Sequence, residues 1–261
     1  MRPPPVAGRE FDIADRLSVL FAGCRVVRLS EDSLMDPRDT SALIERLTAV
    51  FAPAADAEKA AAMSAYMRGK FAYLGIPTPL RRVLTREVLA GAPAYDERAV
   101  AGIALACWEL PEREYRYFAV DLLIKRVKAL SETFVPTLRH LVVTDSWWDT
   151  VDGLATRVAG PLVAAEPSLV GVMDEWIESP DLWQARVAIL HQMHYQDATD
   201  TERLYRYCER RAGDGDFFIR KAIGWILRQY AKTDPAAVRA FVARTELSPL
   251  SKREALKNIG A

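Results

Sequence analysis

Trp148 and Asp152 stand four residues apart in the stretch Ser146-Trp147-Trp148-Asp149-Thr150-Val151-Asp152. If that stretch is helical, the spacing places an indole and a carboxylate on one face. An indole face attracts cations, and a carboxylate steadies positive charge and orients a water. The pair suits a substrate that carries positive charge or develops it during reaction. Ser146 followed three residues later by Asp149 has capping-box spacing, so a helix is expected to open there. The plainer alternative is a core tryptophan beside a capping aspartate, since most tryptophans are largely buried.

Three further stretches hold candidate groups. Arg186 lies amid apolar residues in Asp181-Leu182-Trp183-Gln184-Ala185-Arg186-Val187-Ala188, where a charge must be paired or aimed into a groove. Lys221, Trp225 and Arg228 follow i, i+4, i+7 spacing, a basic–aromatic–basic stripe suited to a phosphate backbone or to a snorkelling amphipathic helix. Ser251-Lys252-Arg253-Glu254 offers two cations at a helix start, a reasonable phosphate clamp. His191 and His194 have no cysteine or carboxylate at ligand spacing, so no metal site is expected. No Gly-rich phosphate loop or Ser/His/Asp order is visible, and no cofactor is expected.

The elements that must position these groups are helices. Apolar residues recur at the 3.6-residue period from Thr40 onward, as in Leu43, Ile44, Leu47, Val50 and Phe51. Prolines at 79, 111, 167, 180, 235 and 249 punctuate successive helix starts. No stretch alternates with period two between hairpin turns, so no sheet is expected. About twelve helices, paired at a loose spacing of about 35–45 residues, predict an all-α solenoid of HEAT-like or armadillo type, an α-α superhelix whose concave face binds the ligand.

The 261 residues are half hydrophobic, enough for one large domain, and the formal net charge is zero. That balance excludes a globally basic nucleic-acid binder. Yet ten basic residues face five acidic ones from Arg211 to Ala261, a local surplus of five. The three cysteines, Cys24, Cys107 and Cys208, form no redox or metal motif, so a reducing cytoplasm is expected. No apolar run approaches the ~20 residues of a membrane span. Met1-Arg2-Pro3-Pro4-Pro5 lacks a signal-peptide layout. Residues 1–38 read as an extension, dispensable or poorly ordered up to residue 34, with an amphipathic stretch from Phe11 to Phe21; residues 39–261 read as one domain.

With these residues in view, the chain resembles the AlkD-type DNA alkylation repair glycosylases from about Met35 to its end. The likeness rests on five stretches in order: Tyr73-Leu74-Gly75-Ile76-Pro77-Thr78-Pro79, Trp108 to Glu114, Ser146 to Asp152, Lys221 to Arg228, and Pro249 to Glu254. The resemblance implies a HEAT-like solenoid with a concave DNA-binding groove. It implies excision of positively charged N3- and N7-alkylated purines, small methyl or bulky, from duplex DNA without enclosing the base. It places the catalytic carboxylate at Asp152, the groove indoles at Trp148 and Trp225, and the groove arginine at Arg186, gripping a phosphate near the lesion or offsetting the carboxylate. DNA contacts are implied for Tyr66, Thr78, Pro79, Arg82, Lys221, Arg228, Lys232, Lys252 and Arg253. Pro77 stands where relatives can carry a polar residue, and His194 where they can carry a basic one. The implied protein works as a monomer on double-stranded DNA. A non-catalytic binder of damaged or branched DNA and a peptide-binding scaffold are the competing readings.

Overall fold

The computed structural model describes residues 37–259, and the expectations for the first 34 residues lie outside that range. Residue contacts group Asp36–Ala261 as one compact unit. Among the described residues there are fourteen α-helical spans and no strand, only an isolated bridge between Ala72 and Glu112. In order they are α1 Pro37–Phe51, α2 Ala57–Tyr66, α3 Thr78–Val88, α4 Glu97–Glu109, α5 Arg113–Arg126, α6 Val135–Val143 and α7 Trp148–Gly153. Then come α8 Gly160–Ala165, α9 Val170–Glu178, α10 Leu182–Leu190, α11 Thr201–Arg210, α12 Phe217–Tyr230, α13 Pro235–Arg244 and α14 Pro249–Leu256. No described helix is long and apolar enough to cross a membrane.

Local chemistry explains most of the starts. The carboxylates of Asp56, Asp96, Asp181, Asp200, Asp216 and Asp234, and the Ser248 hydroxyl, each accept a first-turn backbone N–H, satisfying donors that a helix cannot pair internally. Pro79, Pro235 and Pro249 occupy first turns, as their fixed φ allows. Pro111 and Pro180 lie in the loops just before α5 and α10. Pro167 opens a 3₁₀ turn, Pro167–Leu169.

The repeat is visible in side-chain partners. Trp108 donates to the Thr144 carbonyl 36 residues on, Ser131 reaches Glu97 over 34, Tyr207 reaches Asp174 over 33, and Ser251 reaches the Arg220 carbonyl over 31. Near the start the steps are longer: Glu114 binds Leu74 over 40 residues and Arg46 binds the Ala90 carbonyl over 44. Equivalent positions of successive units therefore touch, as a stack of helical repeats requires, and the later units are shorter than the expected spacing. Inside the stack lie Phe51, Phe118, Trp176, Tyr207 and Phe241, each at most 2% exposed, each burial stabilising the fold by about 1.5–3 kcal/mol.

Two close approaches matter for the site. Gly75 has φ +87°, and a Cβ there would meet the Asp56 carbonyl oxygen at 2.1 Å. That loop is gripped by the buried Glu114 carboxylate, which accepts the N–H groups of Leu74, Gly75 and Ile76. At Gly224 on α12 a Cβ would meet Glu254 Cβ at 2.5 Å, so α14 packs directly on α12.

Helix α7 packs between α5 and α10. It departs from the capping-box expectation. The helix begins at Trp148 with no side-chain cap, and Ser146 Oγ donates instead to the Val142 carbonyl at 2.5 Å. The reason is that the Asp149 carboxylate is committed elsewhere, to the buried Arg113 guanidinium. Beyond Gly153 the helix runs through a π-helical segment, Leu154–Ala159, into α8, and such segments frequently mark functional sites.

Candidate active site

Trp148, Asp152, Arg186, Lys221, Trp225 and Arg228 meet at one open cavity of about 260 Å³, completed by Phe217, Phe218 and Glu254. Three helices from successive units supply them: α7 brings Trp148 and Asp152, α10 brings Arg186, and α12 brings the basic–aromatic stripe. Trp148 and Trp225 are half-buried, which leaves ring surface open to the cavity.

Arg186 is paired rather than free. Its Nε donates to Asp152 Oδ1 at 2.7 Å, Nη2 to Oδ2 at 2.8 Å, and Nη1 to the Phe218 carbonyl at 2.5 Å. Its side chain is 5% exposed and that of Asp152 is 19% exposed. Of the two roles expected for Arg186, this geometry is that of a fork that fixes and offsets the Asp152 carboxylate, as bidentate pairing favours. Burial holds the Asp152 carboxyl above its ordinary range. The Arg186 guanidinium opposes that rise, and the negative charge of Asp149 adds to it.

Lys221 and Arg228 share one counter-ion. Glu254 lies 3.1 Å from Lys221 Nζ and 2.8 Å from Arg228 Nη1, and this pair of cations holds its carboxyl below the usual value. The stripe therefore faces the cavity with much of its charge cancelled. Glu254 follows Lys252 and Arg253 directly in sequence, and its spacing gave no hint of a partner on α12.

The other expected contacts separate. Tyr66 and Thr78 line an adjoining cavity of about 490 Å³ that shares Trp148 and adds Tyr73, Arg81, Tyr117 and Asp149. Tyr66 is exposed and meets Trp148 edge-on, with ring centres 6.3 Å apart. Pro79 is exposed and lines neither cavity. Arg82 is exposed and lines a separate recess with Arg86 and Lys125. Lys232 is not brought to the cavity that holds Asp152. Its Nζ donates to Gln229, and it borders a recess with Gln192 and Tyr230, because it lies past the end of α12. Lys252 and Arg253 also miss the cavity; Glu254, one residue later, is the member of that run turned toward α12.

Asp149 belongs to a network that spacing alone did not reveal. Arg113, fully buried, donates to both Asp149 oxygens at 2.9 and 2.7 Å. The Tyr117 hydroxyl donates to Asp149 at 2.6 Å and lies 3.1 Å from the Tyr73 hydroxyl. Helix α7 is thus anchored by a buried arginine from each side, Arg113 at Asp149 and Arg186 at Asp152. His191 is buried, and that burial pushes its pKa down to about 4. It is neutral at physiological pH and bonds the Ala188 carbonyl.

An all-α stack of repeats in which one cavity brings together two indoles and a half-buried, guanidinium-held carboxylate defines a helical-repeat protein. The chain belongs to the DNA alkylation repair enzyme family, whose model matches residues 47–259. It is similar to an Enterococcus faecalis structure described as a predicted DNA alkylation repair enzyme, with TM-score 0.74, 32% identity, and coverage of 78% of this chain and 96% of that one. AlkD2 and smu.31, both from Streptococcus mutans, share the fold at TM-score 0.54 and 19% identity. They cover 68% and 67% of this chain and 89% and 90% of their own. No curated protein matches.

Proposed function

We propose that the protein is a monofunctional DNA glycosylase that hydrolyses the N-glycosidic bond of cationic N3- and N7-alkylpurines in duplex DNA. The observation that carries this reading is the convergence of Trp148, Trp225 and a desolvated, guanidinium-held Asp152 on one open cavity. A purine alkylated at N3 or N7 is positively charged and leaves neutral when its bond breaks. No proton donor is needed, unlike sugar-ether hydrolysis, where a second carboxyl protonates the leaving oxygen. The cavity supplies no such second acid: its other carboxylate, Glu254, is tied to two cations.

As the bond breaks, positive charge moves to the deoxyribose. Asp152 faces that charge and orients the attacking water. Its poor solvation strengthens the attraction, because fewer waters screen it. Arg186 fixes the carboxylate's direction and so spares reorganisation during the reaction. Trp148 and Trp225 hold the cation by its attraction to the ring faces, worth about 0.5–2 kcal/mol each. The cavity's openness fits a lesion that stays in the duplex, so bulky substituents are admitted with small ones.

Single-turnover release of free base from duplexes carrying 3-methyladenine, 7-methylguanine or a bulky N3 adduct tests the reading. Release from at least one of these is expected. Tight duplex binding with no base released would instead establish a non-catalytic binder.

A further inference from the structure

The cations around the cavity are mostly committed inside the protein. Arg186 is bound to Asp152, Lys221 and Arg228 to Glu254, Arg81 to Asp121 and Arg113 to Asp149. A duplex carries one negative charge for every ~1.7 Å of its axis. Its phosphates must therefore meet cations that no carboxylate has claimed.

Arg68 and Lys70 are two such groups next to the catalytic helix. Both are exposed, and neither takes part in an ion pair among the described residues. They flank Gly69 in the turn that ends α2. That turn is held by Gly69 N donating to the Ser64 carbonyl at 2.8 Å and by Ser64 Oγ donating to the Phe71 carbonyl at 2.9 Å. Arg68 itself has φ +60°, a left-handed conformation that long side chains rarely adopt.

Their heads are not loose in solvent. Lys70 Nζ lies 4.7 Å from the centre of the Trp147 ring, and Arg68 Cζ lies 5.8 Å from it. Trp147 is the residue before Trp148, and its ring packs at 4.8 Å on Phe218, a wall of the catalytic cavity. Trp147 and Phe218 stand between the two cations and the cavity that holds Asp152. This also divides the labour of the adjacent tryptophans. Trp147 is buried with cations over its ring, whereas Trp148 keeps ring surface toward the cavity.

We propose that Arg68 and Lys70 form a phosphate clamp for the backbone of the strand whose sugar lies against Asp152. The proposal rests on the glycosylase reading for the identity of that sugar. Phosphates recur every ~3.4 Å of rise along each strand, so a nucleotide seated at the cavity brings flanking phosphates to its rim. Arg68 offers a planar fork and Lys70 a point charge, both good partners for a phosphodiester oxygen. Because Trp147 already orders both heads, less side-chain freedom is lost on binding than for free surface cations.

The test is the salt dependence of duplex affinity for the Arg68→Gln, Lys70→Gln double variant, which keeps side-chain stems over Trp147 and removes both charges. The slope of log affinity against log salt should fall in magnitude by about 1.8, at about 0.9 per phosphate contact. The loss in base release should appear in the half-saturating enzyme concentration rather than in the plateau rate. An unchanged slope would overturn the clamp. So would a lowered plateau with an unchanged slope, which would mean that the pair only shapes α7 through Trp147. A wild-type protein that binds duplex but releases no base would defeat the glycosylase reading, while the slope would still decide the clamp. A wild-type protein that binds no duplex would defeat both.

Discussion

Replacing Arg186 by Met should destabilise the fold far more than a surface substitution, and through Asp152. The guanidinium donates two hydrogen bonds to that carboxylate and one to the Phe218 carbonyl. The two side chains are 5% and 19% exposed, so solvent screening takes little from the pair. Removing one partner of a buried pair costs about 3–5 kcal/mol, because the other charge is left uncompensated. At about 2–4 °C per kcal/mol for a chain of this size, melting should fall by roughly 6–20 °C. The Asp152 carboxyl, already raised by burial, should rise further without the guanidinium. Base release at neutral pH should drop, and the acid limb of its pH profile should move upward. In an Asp152→Asn background no charge is stranded, so Arg186→Met should cost less there by about 1–3 kcal/mol. Calorimetry and single-turnover release across pH read these effects, and the salt slope of DNA affinity should not change. Melting within about 2 °C of wild type, an additive cycle, or a slope reduced by about 0.9 would refute the pairing argument.

Asp152→Asn should leave duplex affinity nearly intact and cut 7-methylguanine release at least about 10-fold, as loss of a transition-state interaction does; equal release rates in single turnover would defeat the assignment. Trp148→Ala and Trp225→Ala should each slow release by roughly 2–30-fold, the equivalent of about 0.5–2 kcal/mol, with less effect on undamaged duplex affinity. The wild-type rate should fall with acidification at a pH above the ordinary carboxylate range, because Asp152 must be ionised and its pKa is raised. Its effect on stability runs the other way: the contribution is present below the unfolded pKa and is lost as pH rises through the folded one, which melting across pH would register. Glu254→Gln should free Lys221 and Arg228, steepen the salt slope by up to about 1.8 and tighten duplex binding. It should slow base release, since two uncompensated cations then face a cationic substrate, and an unchanged slope would show that neither cation reaches phosphate.

Groups on one helix could be placed from spacing, and groups on facing helices could not. Trp148 with Asp152, and Lys221 with Trp225 and Arg228, line the same cavity because a 3.6-residue turn fixes their common face before any packing is known. The apolar period likewise made the helices legible, and proline marked the first turn of α3, α13 and α14. The partners were hidden because they lie a whole repeat away. Arg186 meets Asp152 across 34 residues, Arg113 meets Asp149 across 36, and Glu254 meets Arg228 across 26. Naming such a partner requires the repeat length to within a turn, and that length drifts from 44 to 31 along this chain. Ser146 and Asp149 show the consequence. Their spacing satisfies the capping rule, worth about 1 kcal/mol. A buried guanidinium with no other carboxylate competes for Asp149, and leaving it unpaired would cost several times more. The buried ion pair therefore prevails over the cap, and α7 is a short helix held by charge at both Asp149 and Asp152. A usable signal was nevertheless present: Arg186 and Arg113 each stand about one repeat from a carboxylate on the same six-residue helix. Buried arginines in a repeat stack, paired with acids one period away, are therefore the feature that points to the site when no single motif does.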